Sequence, residues 1–243
     1  MAVALPSKSQ INRCGELIRQ YVFEGLFIAP AELETAIDVI TDFRAAHSYP
    51  LQKVRLGLGS MIRTEQCEPR VSQRLKRVPR IIRKLQRTVS SPGGRTTLAR
   101  LEDIGGVRAV LQDGGEVERV RQRIEARWGA TIKRRRNYID DPKPIGYRAV
   151  HLVVVRDDRP IEIQLRTRGQ QQWADAAESA DARLAGRGVN LKDSDGPAEM
   201  VEYFSAAGDL IYRREYGLEI PSTVLARFGA ARRAVVDAGY YSA

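Results

Sequence analysis

Three stretches between Leu101 and Thr167 constrain this chain more than any other part: LEDIGGVRAV (Leu101–Val110), RRRNYIDDPKPIGYRAVH (Arg134–His151) and RPIEIQLRT (Arg159–Thr167). Each puts acids, bases or an aromatic on what reads as a sheet strand or its loop. Tyr147–Arg156 and Pro160–Arg166, rich in β-branched residues and separated by Asp157-Asp158, read as a hairpin. Ile104–Leu111 is apolar apart from one arginine and two leading glycines, and reads as a buried strand. Gly114-Gly115 then makes a turn, Val117–Trp128 has helical spacing with Gly129 as its C-cap, and Thr131–Arg136 is another strand. These elements imply a mixed α/β sheet. No GxGxxG follows a strand and no GxxxxGK[ST] occurs, so neither dinucleotide-binding nor P-loop architecture is supported.

The flanks read as helices. Ser7 caps a segment reaching about Glu24, Pro30 starts a second with Leu33, Ile37, Ile40 and Phe43 on one face, and Leu51, Val54, Leu58, Met61 and Ile62 mark a third. Val71–Arg87 is expected to bury Val78, Ile81, Ile82 and Leu85 while Arg74, Arg80, Arg83, Lys84 and Arg87 fan outward, with a new helix starting near Pro79. Beyond the sheet, Gln170–Leu184, Pro197–Tyr216 and Pro221–Gly239 are helix candidates. The clearest loop, Ser90–Gly94, divides a helical part (1–90) from a catalytic sheet (91–168) and C-terminal helices (169–243), all within one unit spanning 1–243.

Charge is localised. Arg70–Arg87 holds eight Lys/Arg and no acid, and Lys133–Arg136 adds four; removing these twelve from the formal net charge of +10 leaves −2. A polyanionic partner, nucleotide or nucleic acid, fits such a surface. The two cysteines, Cys14 and Cys67, form no CxxC or Cys/His cluster, which argues against a disulfide framework or a zinc site. His47, alone beside Tyr49, is assigned no chemistry. No apolar run approaches the roughly 20 residues needed to span a bilayer, and Met1–Gln10 lacks an export core, so a cytoplasmic chain without membrane contact is expected.

Asp103 leads into one core strand and Glu162 lies within another. Two carboxylates facing each other could hold Mg²⁺ against a nucleoside triphosphate, or one could take a proton from an attacking hydroxyl; equally, each could pair with Arg108 or Arg166. In PKPIGYR, Pro142 and Gly146 shape a loop offering Lys143 and Arg148 to phosphate and Tyr147 to a flat ring. His151 faces away from Val150 and Leu152, toward a ribose or phosphate or into the core.

The three motifs, in this order and spacing, resemble the synthetase domain of the RelA/SpoT family. SKSQINRCGELI, RLKRVPRIIRKL and QQQWADAAES resemble more narrowly the toxin-type small alarmone synthetases found with antitoxins and in phage defence. The resemblance implies a mixed, largely antiparallel sheet of about five strands, of nucleotidyltransferase-like synthetase type, flanked by N- and C-terminal helices. It also implies Mg²⁺-dependent transfer of the β,γ-pyrophosphate of ATP to a ribose 3′-hydroxyl. Matched to the family, Arg74, Lys76, Lys84 and Arg108 hold ATP, and Arg80 stands where a serine or threonine is usual. Asp103 binds metal; Glu162 binds metal or activates the hydroxyl; Tyr147 stacks on the acceptor base. Arg136, Lys143, His151, Gln164 and Arg166 fall around the acceptor. Ile145 replaces the usual Asn or Ser before Gly-Tyr. Two histidines are too few for the family's hydrolase domain, so the chain is expected to make product without destroying it. The toxin-like motifs and the localised bases favour the tRNA 3′ CCA end as acceptor and a separate antitoxin as partner; the alternative is GTP or GDP, giving the alarmone ppGpp or pppGpp.

Overall fold

The computed structural model describes residues 6–68, 70–89, 95–184, 191 and 195–240. The elements run α1 (Lys8–Glu24), α2 (Pro30–Ala45), α3 (Ser48–Thr64), β1 (Arg70–Leu75), α4 (Val78–Arg87), β2 (Gly105–Leu111), α5 (Gly114–Trp128), β3 (Ile132–Asn137), β4 (Val150–Arg156), β5 (Arg159–Thr167), α6 (Arg168–Arg183), α7 (Ala198–Glu215) and α8 (Ser222–Asp237). The five strands form one sheet in the order β1-β2-β5-β4-β3. Only β2–β5 is parallel; the other three pairings are antiparallel. This is the mixed, largely antiparallel sheet with flanking helices that the sequence implies.

Local chemistry accounts for much of it. Asp157 and Asp158 both adopt positive φ (48° and 58°), the left-handed pair that closes a two-residue hairpin with the twist of its strands, and β4 and β5 meet there. Ser7 Oγ accepts from the Gln10 amide at 3.2 Å to cap α1, and Thr167 and Gln170 form a reciprocal capping box at the start of α6. Cys14 and Cys67 are buried free thiols. His47 is fully buried, its Nδ1 2.9 Å from the Phe43 carbonyl, and burial pushes its pKa down to about 4, so it is a neutral packing residue.

One expectation is corrected. The Val71–Arg87 stretch, expected among the helices with a new start near Pro79, opens instead with edge strand β1 (Arg70–Leu75), antiparallel to β2 with Arg74 opposite Gly106. Pro79, in the first turn, starts the helix at Val78, and the polar residues before it carry no apolar alternation of their own. They extend because β2 offers an unpaired edge. The Ser90–Gly94 loop lies outside the described residues.

Three cores hold the layers. α3 and α5 cover one sheet face over Val107, Ala109, Leu111, Leu152, Ile161 and Ile163. α1, α2 and α4 bury Ile11, Ile40, Phe43, Ile81 and Leu85. α6, α7 and α8 pack around Trp173, Phe204 and Val235. Among the described residues no helix is long and apolar enough to cross a membrane.

The third core takes in Ile145, fully buried, and thereby pins the 142–149 loop. Gly146, at φ +89°, lies against α7 so closely that a Cβ on Gly208 would sit 2.3 Å from its carbonyl oxygen. Gly208→Ala is expected to destabilise the protein by about 2 kcal/mol, because backbone must separate to admit the methyl; denaturant midpoints of the two proteins measure it.

Candidate active site

Strand register builds the site. Arg74, Gly106, Glu162, Val153 and Arg134 are successive cross-strand partners, and Ser72, Arg108, Gln164, His151 and Arg136 form the next row. In-register partners share a face, and the buried neighbours Val107, Ile163 and Leu152 occupy the opposite one. Arg74, Arg108, Glu162, Gln164, His151 and Arg136 therefore line the face that α3 and α5 leave open. Gly106 adds no side chain, and a Cβ there would meet only the Glu162 carbonyl, at 3.9 Å, so a gap separates Arg74 from Glu162.

Asp103 sits just before β2. Both Lys76 and Lys84 donate to its Oδ2, Lys84 at 2.6 Å. Lys76 is held in place by its own amide, which donates to the Ile104 carbonyl at 2.8 Å. Burial pushes the Asp103 carboxyl up, but the Lys84 and Lys76 ammonium groups outweigh it and leave the pKa below the ordinary carboxylate range. Asp103 Oδ1 is buried and has no hydrogen-bond partner among the described residues. The charges of Asp103 and Lys76 both reach Glu162.

Glu162 is bound on both oxygens. His151 Nδ1 lies 3.0 Å from Oε1, and Gln164 Nε2 donates to Oε2 at 2.7 Å. Burial again raises this carboxyl, and the His151 and Gln164 contacts bring it below its usual value. On its other side His151 Nε2 meets the Tyr147 hydroxyl at 2.7 Å. Arg166, buried, donates from Nη2 to that hydroxyl at 2.7 Å and to Gln164 Oε1 at 3.2 Å.

The remaining expected residues divide. Tyr147 is half-buried, with the Arg166 guanidinium 5.1 Å from its ring centroid and Lys143 Nζ at 5.9 Å. Arg108 is half-buried, its Nε without a hydrogen-bond partner among the described residues, in the like-signed fields of Arg166 and Arg74. Arg80 is exposed on α4, and Arg136 Nη1 reaches the Tyr138 hydroxyl at 3.3 Å. Arg148 leaves the site altogether: it donates to the Ile139 carbonyl and lies 4.0 Å over the Tyr212 ring, so the phosphate contact expected of it is replaced by a structural one. Ile145 likewise serves the core and not the acceptor.

Sequence reasoning missed Tyr138, whose ring packs edge-on against Tyr147 (5.6 Å) and His151 (5.2 Å). It also missed Glu102, which neutralises Lys133 and Arg134 at 3.1 Å each. Both lie inside quoted motifs, yet neither contact follows from spacing. A separate cleft of about 820 Å³, between the start of α5 and the end of α7, holds none of the expected residues. Its acids are committed: Asp113 caps α5, Glu118 binds Arg121, Asp140 accepts from Asn137, and Glu215 binds Thr167 and Gly169.

A family model described as "Region found in RelA / SpoT proteins" matches residues 73–184, which contain every residue of the open face named above except Ser72. The chain is 31% identical over 124 residues to "GTP pyrophosphokinase YjbM" of Bacillus subtilis, covering 48% of this chain and 57% of that protein. It is 25% identical over 163 residues to "GTP pyrophosphokinase rsh" of Brucella melitensis, covering 67% of this chain and 21% of the relative. The fold is shared with the small alarmone synthetase 1 of Bacillus subtilis bound to its product pppGpp (TM-score 0.58, 23% identity, 72% of this chain and 92% of that one). It is shared too with a GTP pyrophosphokinase family protein of Streptococcus pneumoniae (TM-score 0.53, 22% identity, 88% and 98%). The RelA/SpoT resemblance read from the motifs holds.

The lysine-clamped carboxylate makes a pH prediction. A carboxyl held below its unfolded value contributes stability above about pH 4 and loses it as pH falls through the folded value. Asp103→Asn should cost about 3 kcal/mol at pH 7, where two ammonium groups lose their counter-charge. The cost should shrink toward pH 3; urea midpoints for both proteins across that range measure it.

Proposed function

We propose that the chain is a pyrophosphokinase that moves the β,γ-pyrophosphate of ATP to the 3′-hydroxyl of a ribose. The observation that carries this reading is the shared open face: Glu162 on β5 and Asp103 just ahead of the adjacent parallel strand β2, within reach of Lys76, Lys84, Arg74 and Arg108, with Tyr147 at the far side. Arg74, Arg80, Arg108, Lys76 and Lys84 bind the triphosphate. Tyr147, with Lys143 near its ring, receives the acceptor base, and Arg136 meets acceptor phosphate. Glu162, held ionised, accepts the proton of the 3′-hydroxyl as its oxygen attacks the β-phosphorus and AMP leaves. The whole chain, 1–243, then works as one synthetase unit, with α4, the sheet and α6 each bounding the face.

The residues fit a magnesium ion. The orphaned Asp103 Oδ1 and the remaining lone pairs of Glu162 are hard oxygen donors. Among the described residues no group of three or more His, Cys, Asp and Glu converges on one point, which suits an ion that completes its shell with phosphate oxygens and water. When bound, magnesium would offset the charge of the triphosphate.

For the acceptor we favour a guanine nucleotide. The names of the relatives support it, and the electrostatic case for tRNA weakens. Of the twelve clustered bases, Arg70, Lys76, Lys84, Lys133, Arg134 and Arg135 already pair with Glu68, Asp103, Glu102 and Glu125. A second reading keeps the tRNA 3′ end as acceptor, with a toxin role and a separate neutralising protein. It rests on Arg74 of β1, Arg77 at the N-cap of α4, and Arg80 and Arg83 on α4, all exposed with no acidic partner among the described residues. With γ-labelled ATP offered alongside GDP or deacylated tRNA, label should pass to the nucleotide; label passing only to tRNA would reverse the choice.

Glu162→Ala and Tyr147→Ala should each abolish transfer while leaving the fold intact, as read by labelled product and circular dichroism. Wild-type turnover in both would remove this assignment.

A further inference from the structure

Glu162, His151, Tyr147, Arg166 and Gln164 form a closed ring of hydrogen bonds with one consistent direction. Arg166 can only donate, and an ionised Glu162 can only accept. Between them run two arms. In the short arm Arg166 donates to Gln164 Oε1, and Gln164 Nε2 donates to Glu162 Oε2. In the long arm Arg166 donates to the Tyr147 oxygen; assigning the imidazole proton to Nδ1, as an acceptor-only Glu162 Oε1 requires, leaves His151 Nε2 to accept from the phenol. Each carboxylate oxygen receives one bond and keeps lone pairs for the open face.

His151 is thus occupied on both nitrogens by protein. It has no donor or acceptor left for a substrate, although the strand places it beside the acceptor residues.

We propose that His151 is a positioning residue: it links the Tyr147 hydroxyl to the Glu162 carboxylate, and through this link the ring that receives the acceptor base sets the orientation of the group that meets the acceptor hydroxyl. The inference rests on the role given to Glu162 above. It separates two functions of Tyr147. The ring face serves acceptor binding; the hydroxyl serves turnover, at a distance, through the imidazole. Losing such an orienting partner typically costs about 10- to 100-fold.

The test is a steady-state comparison of Tyr147→Phe, His151→Ala, the double variant and Glu162→Ala, using ATP and whichever of GDP or deacylated tRNA the wild-type chain labels. Tyr147→Phe keeps the ring and removes only the hydroxyl. It should lower kcat about 10-fold with acceptor KM within about twofold. The double variant should be no slower than His151→Ala, because both changes cut the same arm. Wild-type kcat in Tyr147→Phe, or a double variant slowed by the product of the single losses, overturns the link. A chain whose His151→Ala form does not fold is still judged by Tyr147→Phe alone. Full activity in Glu162→Ala defeats the proposed function itself; an inactive Glu162→Ala beside a wild-type Tyr147→Phe defeats only the link.

Discussion

The parallel pairing of β2 with β5 is the contact on which the site depends. It sets Gly106 beside Glu162 and brings the residue two places before β2, Asp103, into the field of that carboxylate. Two carboxylates this buried are costly in a folded chain unless donors surround them. Here each has its own set: two ammonium groups for Asp103, an imidazole and an amide for Glu162. The separate donor sets keep both acids ionised at neutral pH although they repel one another.

The cations show the opposite imbalance. Arg74, Arg108 and Arg166 raise the positive potential of one another's surroundings, and Arg108 has no ion pair among the described residues. A fold gains nothing from such crowding by itself. Like charges gathered on one face lower the stability of the empty protein and are offset when an anion binds among them. Elsewhere the same residue types are spent on structure. Strand alternation and nearby acids divide Lys133–Arg136 between Glu102, Glu125 and Tyr138, so a run that looks uniform along the chain is not uniform in space.

Much of this was legible from residues alone. The Asp157-Asp158 turn, the strand ahead of Leu111, the Ser7 cap and the apolar face of α4 all rest on interactions within a few positions of the chain, and each forms as read. β1 was not legible, because its six residues extend only by pairing with a partner some 35 positions away in sequence. The fates of Arg148 and Ile145 were hidden for a related reason. Both lie in a motif that points to phosphate and acceptor, yet α7 and α6 arrive from far along the chain to claim them for packing.

Which residue types are present, where the hairpin turns and which side chains alternate on each strand were determined by the amino-acid order, since dihedral preferences and twofold strand periodicity act locally. Tertiary structure alone decided that Tyr147 would meet Arg166, that Lys76 and Lys84 would share one carboxylate oxygen, and that Lys133 and Arg134 would pair with Glu102. Those outcomes turn on distances between segments far apart in the chain, and such distances exist only once the sheet has closed its register.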